Sequence, residues 1–422
     1  MGATTAQDLP RQLTLSDAIR IALTNSSILR TAQSRLDQAS GRYSQSRSAL
    51  LPQIGAGADQ AYLKINLQGL GIDIPGVEQT SAPFGSFDAR VFLRQDLLNI
   101  ASMQAWKSSR ASQDASHQQV LNAREVVVLN VVGAYLQALR AKASRDTLLE
   151  QTKLATDLYK LTDDRVKQGV SSKLEANRAL QQVNSLEQQR QESEQTYIAA
   201  KLSLANALQA RITADFEVDD AAAYGVEAPV DKQAAVQTAL TARPDYRAAQ
   251  AGVNAAELQV RSAKAQRYPV LGAGFSDGQS GNSPVNNVNV FRLAATLTFP
   301  IYTSGRISGQ IAEAQGAVRE AQSAADQLRS QIESEVLAAI SGVEWALKEV
   351  ETSAGNVKLS REEVELSRQR FTQGIADNTE VVNAQDRVSR ADDARVRAMY
   401  TLGLARANLA RAIGAAEKTY RK

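Results

Sequence analysis

Apolar residues recur at steps of four and three along a long, proline-free part of the chain. They are Val336, Ile340, Val343, Leu347, Val350, Ala354 and Val357, followed at seven-residue steps by Val364 and Phe371. This spacing predicts the seam of a left-handed coiled coil. No proline occurs between Ser304 and Gln373. About 70 residues at ~1.5 Å each would form a helix of roughly 100 Å.

A second long helix of the same kind is predicted over about 101–168. The first long helix ends at Gly169 and the second at Gly374, because glycine adopts the backbone conformation that commonly terminates a helix. A shorter helix with alanine-rich stripes then returns and ends near Arg211 in one case and Gly414 in the other. The chain therefore contains two predicted helical hairpins.

Apolar and polar residues alternate between the helices, which predicts strands with one apolar face. The four strands are expected at about 52–66, 86–97, 269–277 and 288–300. In the last of them we predict a lipid-facing set that consists of Phe291, Leu293, Leu297 and Phe299. Segments of about ten residues suit tilted strands that cross a bilayer. The alternative is a soluble sheet with one hydrated face.

One chain cannot close the predicted sheet. No other segment is apolar enough to cover it, and no run approaches the ~20 apolar residues of a transmembrane helix. A closed barrel in the outer membrane needs at least about eight strands, because unpaired edges in lipid cost several kcal/mol per backbone group. Four strands per chain therefore predict an oligomer, in which two copies would supply about eight strands and three copies about twelve.

The sequence is also an internal duplication. The segment 52–57 reappears at 269–274, a displacement of 217, and the segment 165–175 reappears at 370–380, a displacement of 205. The displacement changes at a Gly- and Pro-rich loop near 69–76, where a loop has changed length. The predicted repeats are 13–211 and 231–414, and each has a helix, two strands, a long helix and a return helix.

Composition excludes several classes of function. The 48 basic and 45 acidic residues are interleaved, which gives no support for nucleic-acid binding. The chain has no cysteine and one histidine, so we predict that it binds no metal and no cofactor. No set of residues typical of a catalytic site is recognisable in the sequence. Residues 1–5 lack the features of a signal peptide. We expect a chain that begins after a removed signal, and the alternative is a cytoplasmic protein that never had one.

The sequence resembles the TolC family of outer-membrane efflux proteins over about 13–414. The residues that carry the resemblance are the opening 13–25, the strand starts Leu51-Pro52 and Tyr268-Pro269, the strand exit 299–306 and the two glycine turns. The resemblance implies a mainly α fold with a membrane β-barrel: a homotrimer with long coiled-coil hairpins in a periplasmic α-barrel and a shared twelve-stranded barrel in outer-membrane lipid. It implies a passive export duct in the outer membrane of a Gram-negative-type bacterium, within a tripartite efflux or type I secretion system.

The resemblance also implies roles for residues at the turns. Arg165, Gly169, Arg370 and Gly374 would contact a periplasmic adapter protein and, through it, an inner-membrane pump. Glu175, Phe371, Glu380 and Asn383 would form the periplasmic gate. Phe371 stands where the family has a gate tyrosine and Ala376 where it has a gate arginine. We therefore expect closure to depend on coiled-coil packing around Phe371 rather than on a polar latch.

Two other functions fit parts of the pattern. A coiled-coil scaffold would explain the heptads but leaves the strands unexplained. A periplasmic adapter would have one helical hairpin and compact β domains, whereas this sequence has two matched halves.

Overall fold

A computed structural model of the chain describes residues 9–67, 69, 71, 78–211, 215–219 and 231–421. The start at residues 1–5, interpreted above as following a removed signal, lies outside these ranges. Most residues of the loop 69–76 also lie outside them.

The described elements follow the predicted succession of helices, two strands and helices, twice over. Their order is β1 (Gln12–Leu13), α1 (Leu15–Asn25), α2 (Ser27–Ser48), β2 (Gln53–Leu63), β3 (Phe84–Leu98), α3 (Ile100–Lys167), α4 (Lys173–Ala207), β4 (Glu217–Val218), α5 (Lys232–Ala242), α6 (Pro244–Ala265), β5 (Val270–Gly281), β6 (Asn287–Thr298), α7 (Arg306–Thr372), α8 (Asn378–Ala412) and α9 (Ala416–Tyr420).

The chain forms two compact units, and each contains residues from both sequence repeats. The first comprises 1–34, 118–247 and 326–422, and the second comprises 35–117 and 248–325. A repeat of the sequence is therefore not a unit in space. The compact units arise because matching elements of the two repeats pack together.

The first unit has an apolar core in which Tyr135 and Tyr197 are fully buried. The Tyr135 hydroxyl lies 2.8 Å from the carbonyl oxygen of Leu13, in the short strand β1, which pairs in parallel with β4. Burial of the aromatic rings supplies much of the core's apolar area, and the hydroxyl requires a partner once it is removed from water.

A buried arginine lies between α5 and α6 of the first unit. Arg243 is 3% exposed and forms ion pairs with Asp245 at 2.7 Å and Glu335 at 2.6 Å. Burial tends to raise the pKa of Asp245, but hydrogen bonds from Arg243 and the charges of Arg243 and Arg411 outweigh it and hold the pKa below its usual value. These ion pairs connect the start of α6 and the end of α5 to α7. The two carboxylates offset the free-energy cost of burying the Arg243 charge.

The buried stripe of α7 differs in part from the predicted seam. Val336, Ile340, Val343, Val357 and Phe371 are buried. Leu347, however, is 43% exposed and Ala354 is exposed, whereas the preceding residues Ala346 and Ser353 are buried. These two positions therefore lie outside the stripe that is buried within the chain. Small side chains allow the closest approach of a neighbouring helix, so alanine and serine occupy the contact and leucine turns to the next face.

Helix α3 contains a window of 18 residues that is long and apolar enough to cross a membrane, and 50% of this window is buried within the protein. The core helix of a soluble region has the same composition. The burial of α3 residues such as Val128, Val131 and Val132 accounts for this window.

The second unit contains a four-stranded antiparallel sheet with the order β2-β3-β5-β6. The central pair, β3 and β5, joins the two repeats. Their pairing is regular from Phe87 to Asp96, and a register shift follows between Asp96 and Leu98. Within the described residues, one edge of β2 and one edge of β6 have no strand beside them.

Candidate functional site

Two turns of the first unit have the same backbone geometry. Gly169 and Gly374 have φ values of +77° and +73°, in the left-handed region that glycine adopts without strain. The N–H of Val170 donates to the Arg165 carbonyl at 2.9 Å, and the N–H of Ile375 donates to the Arg370 carbonyl at 2.9 Å. Each turn is a helix C-terminus closed by a Schellman motif.

The predicted gate carboxylates each lie in the first turn of the following helix. The Ser172 side chain accepts from the Glu175 N–H, and the Glu175 carboxylate accepts from the Ser172 N–H at 3.2 Å, which together form a capping box. In α8, the Asp377 side chain accepts from the Glu380 N–H at 3.2 Å. Both acids therefore complement the positive end of a helix. The spacings Ser-x-x-Glu at 172–175 and Asp-x-x-Glu at 377–380 could have indicated this role.

Arginines lie beside two of the predicted gate residues, Phe371 in α7 and Glu380 in α8. Arg370 forms an ion pair with Glu380 at 3.3 Å, on the protein surface. Arg165 donates to the carbonyl oxygen of Phe371 at 2.9 Å, and its guanidinium carbon lies 4.7 Å from the centroid of the Phe371 ring. The structure thus gives Arg165 a partner within its own chain, which its position in the sequence did not indicate.

Phe371 itself is 4% exposed and packs with Leu158, Val381 and Val382. Its contacts come from α3 and α8, so the end of α7 is held on both sides. The sequence-based expectation of apolar packing at this residue agrees with its burial. The polar contact that accompanies this packing comes from Arg165 rather than from a hydroxyl on residue 371.

Two further hydrogen bonds join the paired turns. Asn378, fully buried, donates through its side-chain amide to the Glu175 carbonyl at 3.1 Å. Arg178 donates to the Thr379 hydroxyl at 3.0 Å, at an exposed position. Asn383 lies one turn beyond Glu380 with its side chain exposed. The structure therefore brings Glu175, Phe371 and Glu380 into one network of paired turns and leaves Asn383 at its surface.

The sheet of the second unit presents large apolar side chains on one face. The exposed fractions of the predicted lipid-facing residues are 74% for Phe291, 76% for Leu293, 68% for Leu297 and 59% for Phe299. The strand register extends this face across the sheet, because Leu293 lies opposite Phe275, Phe275 opposite Leu93, and Leu93 opposite Ile54. Directly opposite residues share a face, so one apolar row crosses all four strands.

The opposite face of the same sheet is polar and rich in glycine. The adjacent row consists of Gly55, Phe92, Ser276 and Arg292. On β3, Asp88, Arg90 and Arg94 lie on this face as well, because they alternate with the apolar set. The apolar face also carries Asp277, which lies between Val91 and Phe291 in the row next to that of Leu293. The sheet therefore has one mainly apolar face and one mainly polar face.

A cavity of about 510 Å³ lies among α3, α4, α7 and α8. Its lining includes Gln151 and Gln385, whose side-chain nitrogens are buried without a protein partner. A cavity of this size has room for water that would satisfy these amides. In the part of the chain that the structure describes, no group of three metal-ligating side chains occurs.

Comparison with known proteins gives a consistent result. The family model described as outer membrane efflux protein matches residues 18–210 and 235–415. The pyoverdine export outer membrane protein OpmQ of Pseudomonas putida is 27% identical over 309 residues. This match covers 71% of the present chain and 65% of the relative, which is just under two thirds of its length.

Solved structures agree at the level of the fold. The outer-membrane channel OprN is 18% identical with a TM-score of 0.81, over 95% of this chain and 90% of that one. The Campylobacter jejuni channel CmeC is 18% identical with a TM-score of 0.80, over 95% and 86%. VceC from Vibrio cholerae is 18% identical with a TM-score of 0.81, over 95% and 96%. These matches confirm the predicted fold class, mainly α with strands of the kind found in these channels.

Proposed function

Because the chain belongs to the outer membrane efflux protein family, we propose that three copies of it form one passive export duct across the outer membrane. Family membership confirms the predicted outer-membrane location and the prediction that the chain is not an enzyme. The observation that carries the proposal is the four-stranded sheet with one exposed apolar face and two open edges.

The open edges favour an assembly. In lipid, unpaired backbone groups of β2 and β6 would each cost several kcal/mol, so these edges need neighbouring strands. Pairing β6 of one copy with β2 of the next satisfies both edges and closes a ring. With three copies, as the family resemblance implies, the barrel has about twelve strands and a water-filled interior. The face with Leu293 then contacts lipid, and the face with Arg292 lines the lumen.

A second feature favours helix packing between copies. Trp345, Leu359 and Leu366 of α7 recur at multiples of seven and are 59%, 64% and 60% exposed in the single chain. An exposed row of apolar residues at seven-residue spacing is typical of a helix face that packs against a helix of another chain in a coiled coil. We assign this row to contacts with a neighbouring copy.

We assign the two glycine turns to the periplasmic end of the duct. Glu175, Phe371, Glu380 and Asn383 would form its gate, and Arg370, Gly169 and Gly374 would face a periplasmic adapter linked to an inner-membrane pump. The paired turns support this assignment because they hold two acidic residues within one hydrogen-bonded network. Arg165 would act within the gate, through Phe371. Pyoverdine, named for the relative OpmQ, is the first cargo to test.

The test is the mass and conductance of the detergent-solubilised protein. We expect a particle of three chains that conducts ions in planar bilayers. Leu359→Glu should yield monomers, because three buried carboxylates would replace apolar contacts, whereas Lys358→Glu, which changes charge at the neighbouring exposed position, should leave the trimer intact. A water-soluble monomer with no detergent belt would refute the proposal.

A further inference from the structure

The polar face of the sheet carries three arginines around one phenylalanine. Arg90 and Arg94 lie two residues on either side of Phe92 in β3, so all three side chains share a face. Arg292 lies in the same cross-strand row as Phe92, because Phe92 is opposite Ser276 and Ser276 is opposite Arg292. The phenylalanine is the one large apolar side chain in this row.

The ring of Phe92 lies across the neighbouring strand. Gly55 is directly opposite Phe92, and a Cβ atom added at Gly55 would come within 2.5 Å of the ring. The ring therefore occupies the space that any side chain at Gly55 would need. The guanidinium of Arg94 lies 4.6 Å from the ring centroid, within the range of a cation–π contact. Phe92 therefore packs on Gly55 of the neighbouring strand and supports the guanidinium of Arg94 on the polar face.

The positive charges of this cluster are only partly compensated. Arg90 forms an ion pair with Asp88. Arg94 and Arg292 have no carboxylate partner among the described residues. The remaining members of the Phe92 row and of the two flanking rows carry no charge: they are Gln53, Gly55, Gly57, Gly274, Ser276, Gly278, Val290 and Ala294. Most of them are small, so the cluster lies open beside a shallow glycine-lined surface.

We propose that Arg94, Phe92 and Arg292 form a subsite for small aromatic anions inside the barrel. The inference rests on the proposed function, since this face lines the lumen only in the assembled trimer. Asp96 lies on the same face in the row beyond Arg94, but it accepts from the Asn99 amide at 2.8 Å and forms no ion pair with Arg94. The two arginines in each of three copies would attract anions to this part of the face. Guanidinium groups also pair with planar anionic groups and stack on rings, and the contact with Phe92 holds the guanidinium of Arg94 in position for such a stack.

The test uses the full-length trimer in planar bilayers, with benzene-1,3-disulfonate and propane-1,3-disulfonate added to each side in turn. These probes carry the same charge and differ in the ring. We expect the aromatic probe to halve the current at about a fivefold lower concentration than the aliphatic one, as a stacking contact of about 1 kcal/mol would give. The reversal potential in a KCl gradient reports the charge preference independently.

Three variants separate the contributions. Arg94→Gln combined with Arg292→Gln should raise the half-blocking concentration of both probes about tenfold and shift the reversal potential towards cation preference. The matched pair Arg94→Lys and Arg292→Lys retains the charge and should retain the reversal potential. Phe92→Leu keeps an apolar contact on Gly55 and should abolish only the difference between the two probes.

The outcomes distinguish this inference from the function on which it rests. A chain that forms neither trimer nor channel refutes the proposed duct, and the subsite with it. A channel of normal conductance whose reversal potential and block are the same in the unmodified protein and the double Gln variant refutes the subsite alone. Equal block by the two probes in the unmodified channel refutes the role of Phe92.

Discussion

Replacing Arg165 with alanine should weaken the contact between the ends of α3 and α7 and increase the open time of the proposed gate. The change removes a hydrogen bond of 2.9 Å from a charged donor to the Phe371 carbonyl, worth about 1.5–3 kcal/mol. It also removes a guanidinium that lies 4.7 Å from the ring centroid, worth about 0.5–1 kcal/mol at a half-buried position. The total of about 2–4 kcal/mol corresponds to a roughly 30- to 700-fold shift in the equilibrium, if opening breaks both contacts.

The assay is the fraction of time that single trimers are open in planar bilayers. Arg178→Ala is the matched control, since Arg178 belongs to the same pair of turns and makes one exposed hydrogen bond of 3.0 Å to Thr379; its effect should be less than about 1 kcal/mol. Phe371→Leu preserves apolar packing but removes the ring, and a double-mutant cycle with Arg165→Ala isolates the ring contact. An open fraction for Arg165→Ala that equals that of Arg178→Ala would show that this contact does not hold the gate.

The remaining predictions concern the two faces of the sheet and the acidic turns. Leu293→Arg should make insertion into membranes less favourable by about 2–4 kcal/mol if the residue lies near the bilayer midplane, whereas the Arg292→Leu variant should assemble normally. The measurement is the yield of trimer in detergent, and an equal loss of yield in both variants would contradict the assigned faces. Glu175→Gln combined with Glu380→Gln should reduce cation preference and block by multivalent cations, because glutamine can still cap a helix but carries no charge. Unchanged selectivity in bilayer recordings would place these side chains outside the lumen.

Much of the fold could be predicted from the sequence because it depends on neighbours within a few residues. The seven-residue repeat predicted α7, and the alternation around Leu293 predicted β6 with its exposed apolar face. The capping box of Ser172 and Glu175 was equally local but was missed, because the carboxylate was interpreted only as a pore charge. A sequence pattern that is explained by one role of a residue, here a charge in the pore, can hide a second role, here a helix cap.

Two corresponding positions of the duplication have the same left-handed backbone conformation but different residues, so the local sequence does not predict it at both. Gly414 has a φ of +74°, and a side chain there would approach the backbone of Arg243 to 3.1 Å. Its counterpart in the first repeat is Gln209, which has a φ of +50° despite its side chain. The Gln209 amide accepts from the Ser27 N–H at 2.7 Å and donates to the Ser27 hydroxyl at 2.7 Å. These bonds offset the strain of the backbone, and only the folded chain reveals them.

The sequence by itself determined the elements, their order, the glycine turns and the two unlike faces of the strands, because these follow from backbone preferences and from periods of two and seven. Only the tertiary structure decided that β3 pairs with β5 across the two repeats, that Ala346 rather than Leu347 is buried, and that Arg165 reaches Phe371. These contacts join residues far apart in the chain. Their partners are set by how helices and strands pack around a shared core, since many distant pairings satisfy the same local pattern and packing selects one of them.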